Sequence, residues 1–519
     1  MVKAAFLARH HLLIICFCIS LLAAILLPIG SRFQIGGDEG FELIKAFMCR
    51  NGFALYSDIW NDQPPLHTLL LTVIFKLFGV SLLAGRLLAI GFGTLFVFLF
   101  TDMLRRDLGA WPALAGMAIL LTAPMVLDLG VSVMLEMPAF SLGMLSFWLV
   151  SLYRRRPSAS VFLFSTIAMA VALQIKLTSA ILIPTIVASL VLSRGSFQNA
   201  DNRFISRYNT NVALTDRLPC GNSIQVRRLI ILSGLWVSIV ALAFCLLGVL
   251  LGNGGYDLLW ASHSAKMMNQ GVEGPMQYAF SINQLGEFPE GTLGSILGLT
   301  LITCRKKLRR YGPPIIFLAT VFVIHEYHRP WWPYYYLHLS ISLVWISACA
   351  FHEIRVRYRA LTSYKGGTSE VWKRILRIAI ILPVALWICY GGERFTHTIV
   401  NICAGERIRD NILLNRIMEL APQAKYFYTR SPIYAFHARL CIPPELAVLP
   451  AKRFWSGRIT NQQVLDIVKK YQPDLLLLDP EEITGEWNTY LLEKYCLVAE
   501  NDHYQLWIGN RINPNKPIS

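Results

Sequence analysis

The sequence predicts a mainly α-helical polytopic membrane protein, carrying about eleven transmembrane helices and a small α/β domain at its C-terminal end. Three observations predict it. Hydrophobic residues make up 55% of the 519 and charged residues 15%, against about 25% charged in an ordinary soluble protein. Apolar runs of bilayer-spanning length recur along the first three quarters of the chain. The basic residues gather in alternate connections between those runs. Such a composition excludes a disordered chain. The net charge of +16 is distributed as a membrane protein distributes it, so nucleic acid is not expected as a partner.

The first run, Phe6 to Gly30, is too long for a signal-peptide core and reads as a retained anchor. Further runs lie near 82–104, 111–128, 138–153, 159–175, 178–193, 229–251, 291–304, 312–327, 334–351 and 375–391. About half of the basic residues fall in the connections that follow the anchor's N-terminal side, including Arg105–Arg106, Arg154–Arg156, Arg305–Arg310 and the 194–228 stretch. The other connections, 31–81 and 252–290, are acidic or neutral. The positive-inside rule therefore puts the N-terminus in the cytoplasm, 194–228 in a cytoplasmic loop, and 31–81 and 252–290 outside. The expected location is a cytoplasmic (inner) membrane. An odd number of spans places residues 392–519 outside as well. The expected division is a transmembrane domain over 1–391 and an outer-face α/β domain over 392–519.

That last stretch has a different texture. Val464, Leu465, Ile467 and Val468 have helical spacing, and Leu475–Leu478 reads as a buried strand. Lys425–Thr429 and Tyr504–Ile508 read as further strands. The eleven cysteines are scattered singly, with no CxxC pair and no zinc spacing. No internal repeat is evident, which weighs against many secondary-transporter folds.

Ionisable groups near the membrane are the informative ones, because burying them is costly. Gly36-Gly37-Asp38-Glu39-Gly40 follows the anchor directly. Asp38 has two readings: an N-cap for the helical run Phe41–Phe47, or a carboxylate set to work at the lipid surface. The same loop runs on through Asp58, Asp62, Gln63, Pro64-Pro65 and His67 into an interfacial helix over Leu66–Phe78. Glu136 sits in a short outer turn, where it caps a helix, binds metal or contacts a sugar. Lys176 lies in a turn between short spans, and either snorkels to headgroups or meets an anion. The stretch from His325 to His338 crowds Glu326, His328 and Arg329 among Trp331, Trp332, Tyr334, Tyr335 and Tyr336. An interfacial aromatic belt explains the rings. It does not explain the histidines and Arg329, whose forked donors suit a phosphate.

Asp38-Glu39 just after the first span, Pro64-Pro65-Leu66, and Ala84-Gly85-Arg86-Leu87 at the start of the next span together resemble the GT-C superfamily of membrane glycosyltransferases. Within it, the protein O-mannosyltransferases, the lipid A aminoarabinose transferases and related bacterial transferases are the most similar. Glu136-Met137-Pro138-Ala139, Lys176-Leu177-Thr178-Ser179 and the His325–His338 stretch add to the likeness, as do Ser431-Pro432-Ile433-Tyr434 and Pro443-Pro444-Glu445-Leu446. The resemblance implies inverting transfer from a polyprenyl-phosphate-linked sugar to an acceptor hydroxyl at the outer face of the membrane. Asp38 then stands at the position of the base, with Glu39 beside it. Gln63, Lys176, Arg329, His328, Tyr334 and Glu136 are implied as contacts for the sugar or the lipid phosphate. Relatives often carry Lys or His directly before the proline pair. This chain has Asp62-Gln63 there, so either another cation substitutes or a divalent metal held by Asp38, Asp62 and Glu136 does. No nucleotide cofactor is expected, since no Gly-rich phosphate fingerprint is present. Expected partners are the lipid-linked donor, membrane lipids, and a glycan, lipid or protein acceptor. The competing readings are a lipid-linked-sugar transporter or flippase, and a non-catalytic membrane assembly protein.

Overall fold

The computed structural model describes residues 2–192, 221–252, 279–302, 305–328, 330–362 and 369–512. Every long apolar run in the sequence coincides with a helix. The first half holds α1 (Val2–Leu26), α2 (Glu39–Arg50), α3 (Leu66–Phe78), α4 (Leu82–Leu108), α5 (Ala110–Leu121), α6 (Val126–Val131), α7 (Glu136–Arg155), α8 (Ala159–Leu173) and α9 (Ile183–Val191). After these come α10 (Gly221–Gly252), α11 (Pro289–Leu301), α12 (Arg305–Tyr327), α13 (Tyr336–Thr362), α14 (Ser369–Leu386) and α15 (Gly392–Ala404).

Several runs read as single spans are broken. Run 111–128 becomes α5 and α6, separated at Pro124 and at Met125, whose φ of 63° is left-handed. Run 178–193 begins as a 3-10 turn over Leu177–Leu182 before α9 takes over with Pro184 in its first turn. Three helices among the described residues are long and apolar enough to cross a bilayer: Leu82–Leu108, Leu229–Gly252 and Pro333–Arg359. Shorter apolar helices, among them His11–Leu26, Ala110–Leu121 and Ala159–Leu173, pack around them. Proline and left-handed residues shorten the elements, so apolar run length alone overstates helix length. The loops expected at 194–228 and 252–290 lie mostly outside the described residues, as 193–220 and 253–278 are not among them.

The helices share one core, in which Phe100, Phe140, Phe317 and Trp345 meet. Outward, α10 exposes Ile230, Ile231, Leu235, Leu242, Leu246, Val249 and Leu250. A face so uniformly apolar is what a hydrocarbon environment covers.

A second core joins the loop after α1 to the C-terminal region. Leu43 and Phe47 of α2 and Leu71 and Phe75 of α3 pack with Leu413, Phe427, Ile433, Phe436 and Leu475. The C-terminal elements are α16 (Ile412–Leu420), β1 (Phe427–Thr429), α17 (Pro432–Ala438), α18 (Ala451–Trp455), α19 (Asn461–Tyr471), β2 (Leu475–Leu478), α20 (Glu486–Lys494), β3 (Tyr495–Glu500) and β4 (Gln505–Gly509). The sheet order is β1-β2-β4-β3, with β1 parallel to β2 and the other pairings antiparallel. Thr460 caps α19 through a capping box with Gln463. The expected boundary at 391/392 falls inside a helical passage: a π-turn at Trp387–Gly391 runs directly into α15. The α/β unit itself begins after α15 and is completed by the first loop.

Gly40 explains part of the Gly36–Gly40 motif. A Cβ on Gly40 would lie 2.9 Å from the Ile433 backbone nitrogen. Gly40→Ala is therefore expected to force α2 and α17 apart and to destabilise the protein by about 1–3 kcal/mol. Thermal unfolding of the purified chain measures it, and an unshifted midpoint would show that this contact gives way freely.

Candidate active site

The two adjacent carboxylates after the anchor separate because consecutive helical residues point about 100° apart. Glu39 turns inward. Its Oε1 accepts from Arg86 Nε at 2.9 Å and from the Val133 amide at 3.0 Å. Its Oε2 accepts from Arg86 Nη2 at 2.7 Å and from the Ile35 amide at 2.9 Å. Both Glu39 and Arg86 are 0% exposed. Arg86 also donates to the carbonyls of Ile29 and Arg32. This network pins the start of α2 against α4 and the chain leaving α1. Glu39 is not among the residues that line the cavity described below, and its four hydrogen bonds anchor the start of α2. Arg86→Met would leave Glu39 buried without its cation, and is expected to cost about 3–5 kcal/mol of stability. A thermal midpoint equal to the wild type's would refute that.

Asp38 occupies the N-cap position of α2, yet its side chain makes no capping hydrogen bond. It faces a cavity of about 560 Å³ instead. Of the residues expected from the sequence, Asp62, Gln63, Glu136, Lys176, His328 and Tyr334 line the same cavity. Arg329 lies outside the described residues. Burial raises the Asp38 carboxyl to about 6; the charge of Glu136 adds to the rise, and Lys176 opposes it.

The Pro64-Pro65 turn is fixed by its own polar neighbours. Tyr56 Oη donates to the Gln63 carbonyl at 2.7 Å and Asn61 Nδ2 at 2.6 Å. Leu66 N donates to the Gln174 carbonyl at 3.1 Å. That bond ties the first loop to the turn that presents Lys176. Lys176 forms a buried ion pair with Glu136. Its Nζ also stands 4.4 Å from the Tyr334 ring centre. Burial works against its charge, but Glu136, Tyr335 and Asp38 together more than offset this and the pKa is raised. Glu136 Oε2 is buried and finds no hydrogen-bond partner among the described residues, as is the case for Thr178 Oγ1, His325 Nδ1 and His338 Nε2. All four belong to residues lining this cavity. His338 Nδ1 and His325 Nε2 are 3.1 Å apart, and His328 Nε2 is 3.2 Å from Tyr335 Oη.

Three lining residues carry charges that the sequence reading did not single out. Glu42 and Lys45 follow Asp38 at i+4 and i+7, on one helix face. Lys45 Nζ donates to Glu42 Oε1 at 2.8 Å and to Asn61 Oδ1 at 3.1 Å. Burial alone would raise Glu42, but Lys45 and His67 pull it down to about 2. Lys452 arrives from α18 and pairs with Asp62 at 3.2 Å, while Trp455 stacks on Trp332 with ring centres 6.2 Å apart. The C-terminal unit thus supplies one wall.

These pairings bear on the divalent metal expected between Asp38, Asp62 and Glu136. Two of those carboxylates are neutralised by lysines, and among the described residues no group of three His, Cys, Asp or Glu side chains has an arrangement that could hold a metal ion. The site is built of lysine–carboxylate pairs, and no chemical step is assigned to a metal. No disulfide forms among Cys49, Cys403, Cys441 and Cys496, all of which are free.

Residues 62–203 match the family of dolichyl-phosphate-mannose-protein mannosyltransferases. The structure superposes on ArnT from Cupriavidus metallidurans bound to undecaprenyl phosphate with a TM-score of 0.59, at 15% identity, covering 97% of this chain and 99% of that one. The chain has the fold of the GT-C membrane glycosyltransferases. A second GT-C structure, the Archaeoglobus fulgidus oligosaccharyltransferase tethered to an acceptor peptide, matches with a TM-score of 0.53 at 12% identity, over 94% of this chain and 72% of that one. The same enzyme in complex with Zn and sulfate matches at 0.52 and 11% identity, over 93% and 69%. No curated protein matches the chain. The likeness to the GT-C superfamily read from Asp38-Glu39, Pro64-Pro65 and Arg86 is borne out.

Proposed function

We propose that this protein is an integral membrane glycosyltransferase that moves a sugar from a polyprenyl-phosphate carrier to an acceptor hydroxyl at the outer face of the membrane. The observation that carries this reading is one carboxylate side chain without a partner among the described residues, Asp38, in a cavity where every other acid is matched by a base and four lining residues carry a buried polar atom without a partner among those residues. The Asp38 side chain makes no hydrogen bond or ion pair among the described residues. With its pKa raised to about 6, it is basic enough to take a proton and ionised near neutrality.

A glycosyl phosphate already carries a good leaving group. The acceptor oxygen attacks the anomeric carbon as Asp38 removes its proton. The bond from that carbon to the phosphate oxygen breaks, and the electron pair leaves with the lipid phosphate. One displacement inverts the anomeric centre. Lys176 and Lys452, both lining the cavity, stabilise the growing phosphate charge. Tyr334, Tyr335 and Trp332 offer flat faces to a sugar ring or a prenyl chain. Undecaprenyl phosphate in the similar ArnT structure supports a polyprenyl carrier, and the acceptor peptide on the oligosaccharyltransferase supports a second substrate at the same fold.

The test is transfer in vitro from a polyprenyl-phosphate-linked sugar, comparing wild type with Asp38→Asn and assigning the anomeric configuration of the product by NMR. Retained configuration would remove the single-displacement mechanism.

A further inference from the structure

A second cavity, of about 740 Å³, lies at the other end of α2. Asp38, in the first cavity, and Arg50, in the second, stand about 18 Å apart along the helix axis. The second is chemically unlike the first. Its lining holds three cations, Arg50, Lys425 and Arg439, and no carboxylate. None of the three forms an ion pair among the described residues, whereas each lysine of the first cavity has an acidic partner. All three are exposed. Arg50 spends only its Nε, on the Phe75 carbonyl at 3.2 Å, which leaves its terminal nitrogens for a ligand. Arg439 holds its place at a left-handed φ of 56°, a conformation that disfavours a side chain of this kind.

Four aromatic residues also line this cavity: Phe47, Phe53, Phe78 and Tyr426. Phe78 and Leu77 end α3 at 75% and 71% exposed. Two residues of the lining, Gly79 and Val80, lead directly into Leu82–Leu108, which is long and apolar enough to span a bilayer. The cavity therefore sits at the head of a spanning helix, with its cations next to an exposed apolar ridge. Forked guanidinium donors suit a phosphate ester, and an apolar ridge beside them suits acyl chains.

We propose that this second cavity binds the phosphate headgroup of an anionic membrane lipid, separately from the donor and acceptor in the first. The α2 helix and the C-terminal unit share its walls, so a bound lipid would clamp the first loop to the C-terminal unit at the membrane surface.

The test titrates fluorescent phosphatidic acid into the full-length chain in neutral detergent, with phosphatidylcholine and inorganic phosphate as parallel probes. Each cation beside an anionic lipid surface contributes about fivefold in affinity. The Arg50→Gln/Lys425→Gln/Arg439→Gln variant is expected to lose phosphatidic acid binding on the order of a hundredfold. Arg439→Gly removes one charge while suiting the left-handed backbone, so it should keep or raise the thermal midpoint and lose about fivefold in affinity. Binding that is unchanged in both variants overturns the proposal, as does phosphatidylcholine binding as tight as phosphatidic acid. Inorganic phosphate binding as tightly as the lipid would assign the cavity to a free anion and overturn the lipid assignment. None of these readouts involves sugar transfer, so the result stands apart from the proposed activity.

Discussion

Asp38→Asn is expected to lower the turnover number for sugar transfer by about 10²- to 10⁴-fold, with little change in donor affinity. Asparagine keeps the shape of the side chain and cannot take the acceptor's proton. Because the Asp38 side chain makes no capping bond and no ion pair among the described residues, and burial disfavours its charged form, its charge does not support the fold near neutrality, and the variant should unfold at or above the wild-type temperature. The pH profile gives an independent readout. A base works only when ionised, and burial with Glu136 nearby raises Asp38 to about 6. Below that pH the carboxyl is protonated and transfer falls tenfold per unit; above it the rate levels off. Glu136→Gln removes a charge that raises Asp38, so its inflection should move to lower pH. Steady-state kinetics from pH 4.5 to pH 8, on the order of half a unit per step, resolves both. An Asp38→Asn enzyme with an undiminished rate, or an inflection unmoved by Glu136→Gln, would end the assignment of Asp38 as the base.

The parts of this site that could be read in advance were those with a local signature. Pro64-Pro65 breaks the chain wherever it occurs, so α3 was expected at Leu66–Phe78 and is found there. Apolar spacing likewise marked α19, and the all-apolar Leu475–Leu478 marked a buried strand. β3 escaped because it is an edge strand with most of its residues at least partly exposed, and its alternation is too weak to separate it from a loop. The division of labour between Asp38 and Glu39 also had no local mark. It depends on Arg86, 47 residues downstream, arriving under α2. Glu42 and Lys45 were legible in principle, since their spacing continues the Asp38 face of α2, but a Glu–Lys pair three residues apart reads as a solvated helix surface. Lys452 was not legible at all. Its only mark as a site residue is that α18 packs its end against Asp62, and that follows from the shared core of the first loop and the C-terminal unit.

Lys176 decides whether the ion pairs of the first cavity are catalytic parts or only supports. Lys176→Met is expected to remove donor binding and to destabilise the chain together, because Glu136 would then be a buried carboxylate without its cation, at a cost of about 3–5 kcal/mol. Loss of activity in that variant would be ambiguous on its own. The double variant Lys176→Met/Glu136→Leu separates the two effects. Replacing both members of a buried pair with apolar side chains of similar volume is often neutral for stability, so its thermal midpoint should return close to the wild type's. Transfer should not return, because the cation facing the departing phosphate is still missing. Lys176→Arg keeps the charge, and is expected to retain measurable transfer with weakened donor affinity, since a forked head must fit between Glu136 and the Tyr334 ring, 4.4 Å from the present ammonium. Thermal unfolding in detergent and titration with a polyprenyl-phosphate-linked sugar give the two readouts. A double variant that recovers stability and transfers sugar at the wild-type rate would make the pair a purely structural element and leave the phosphate to Lys452 and Lys45.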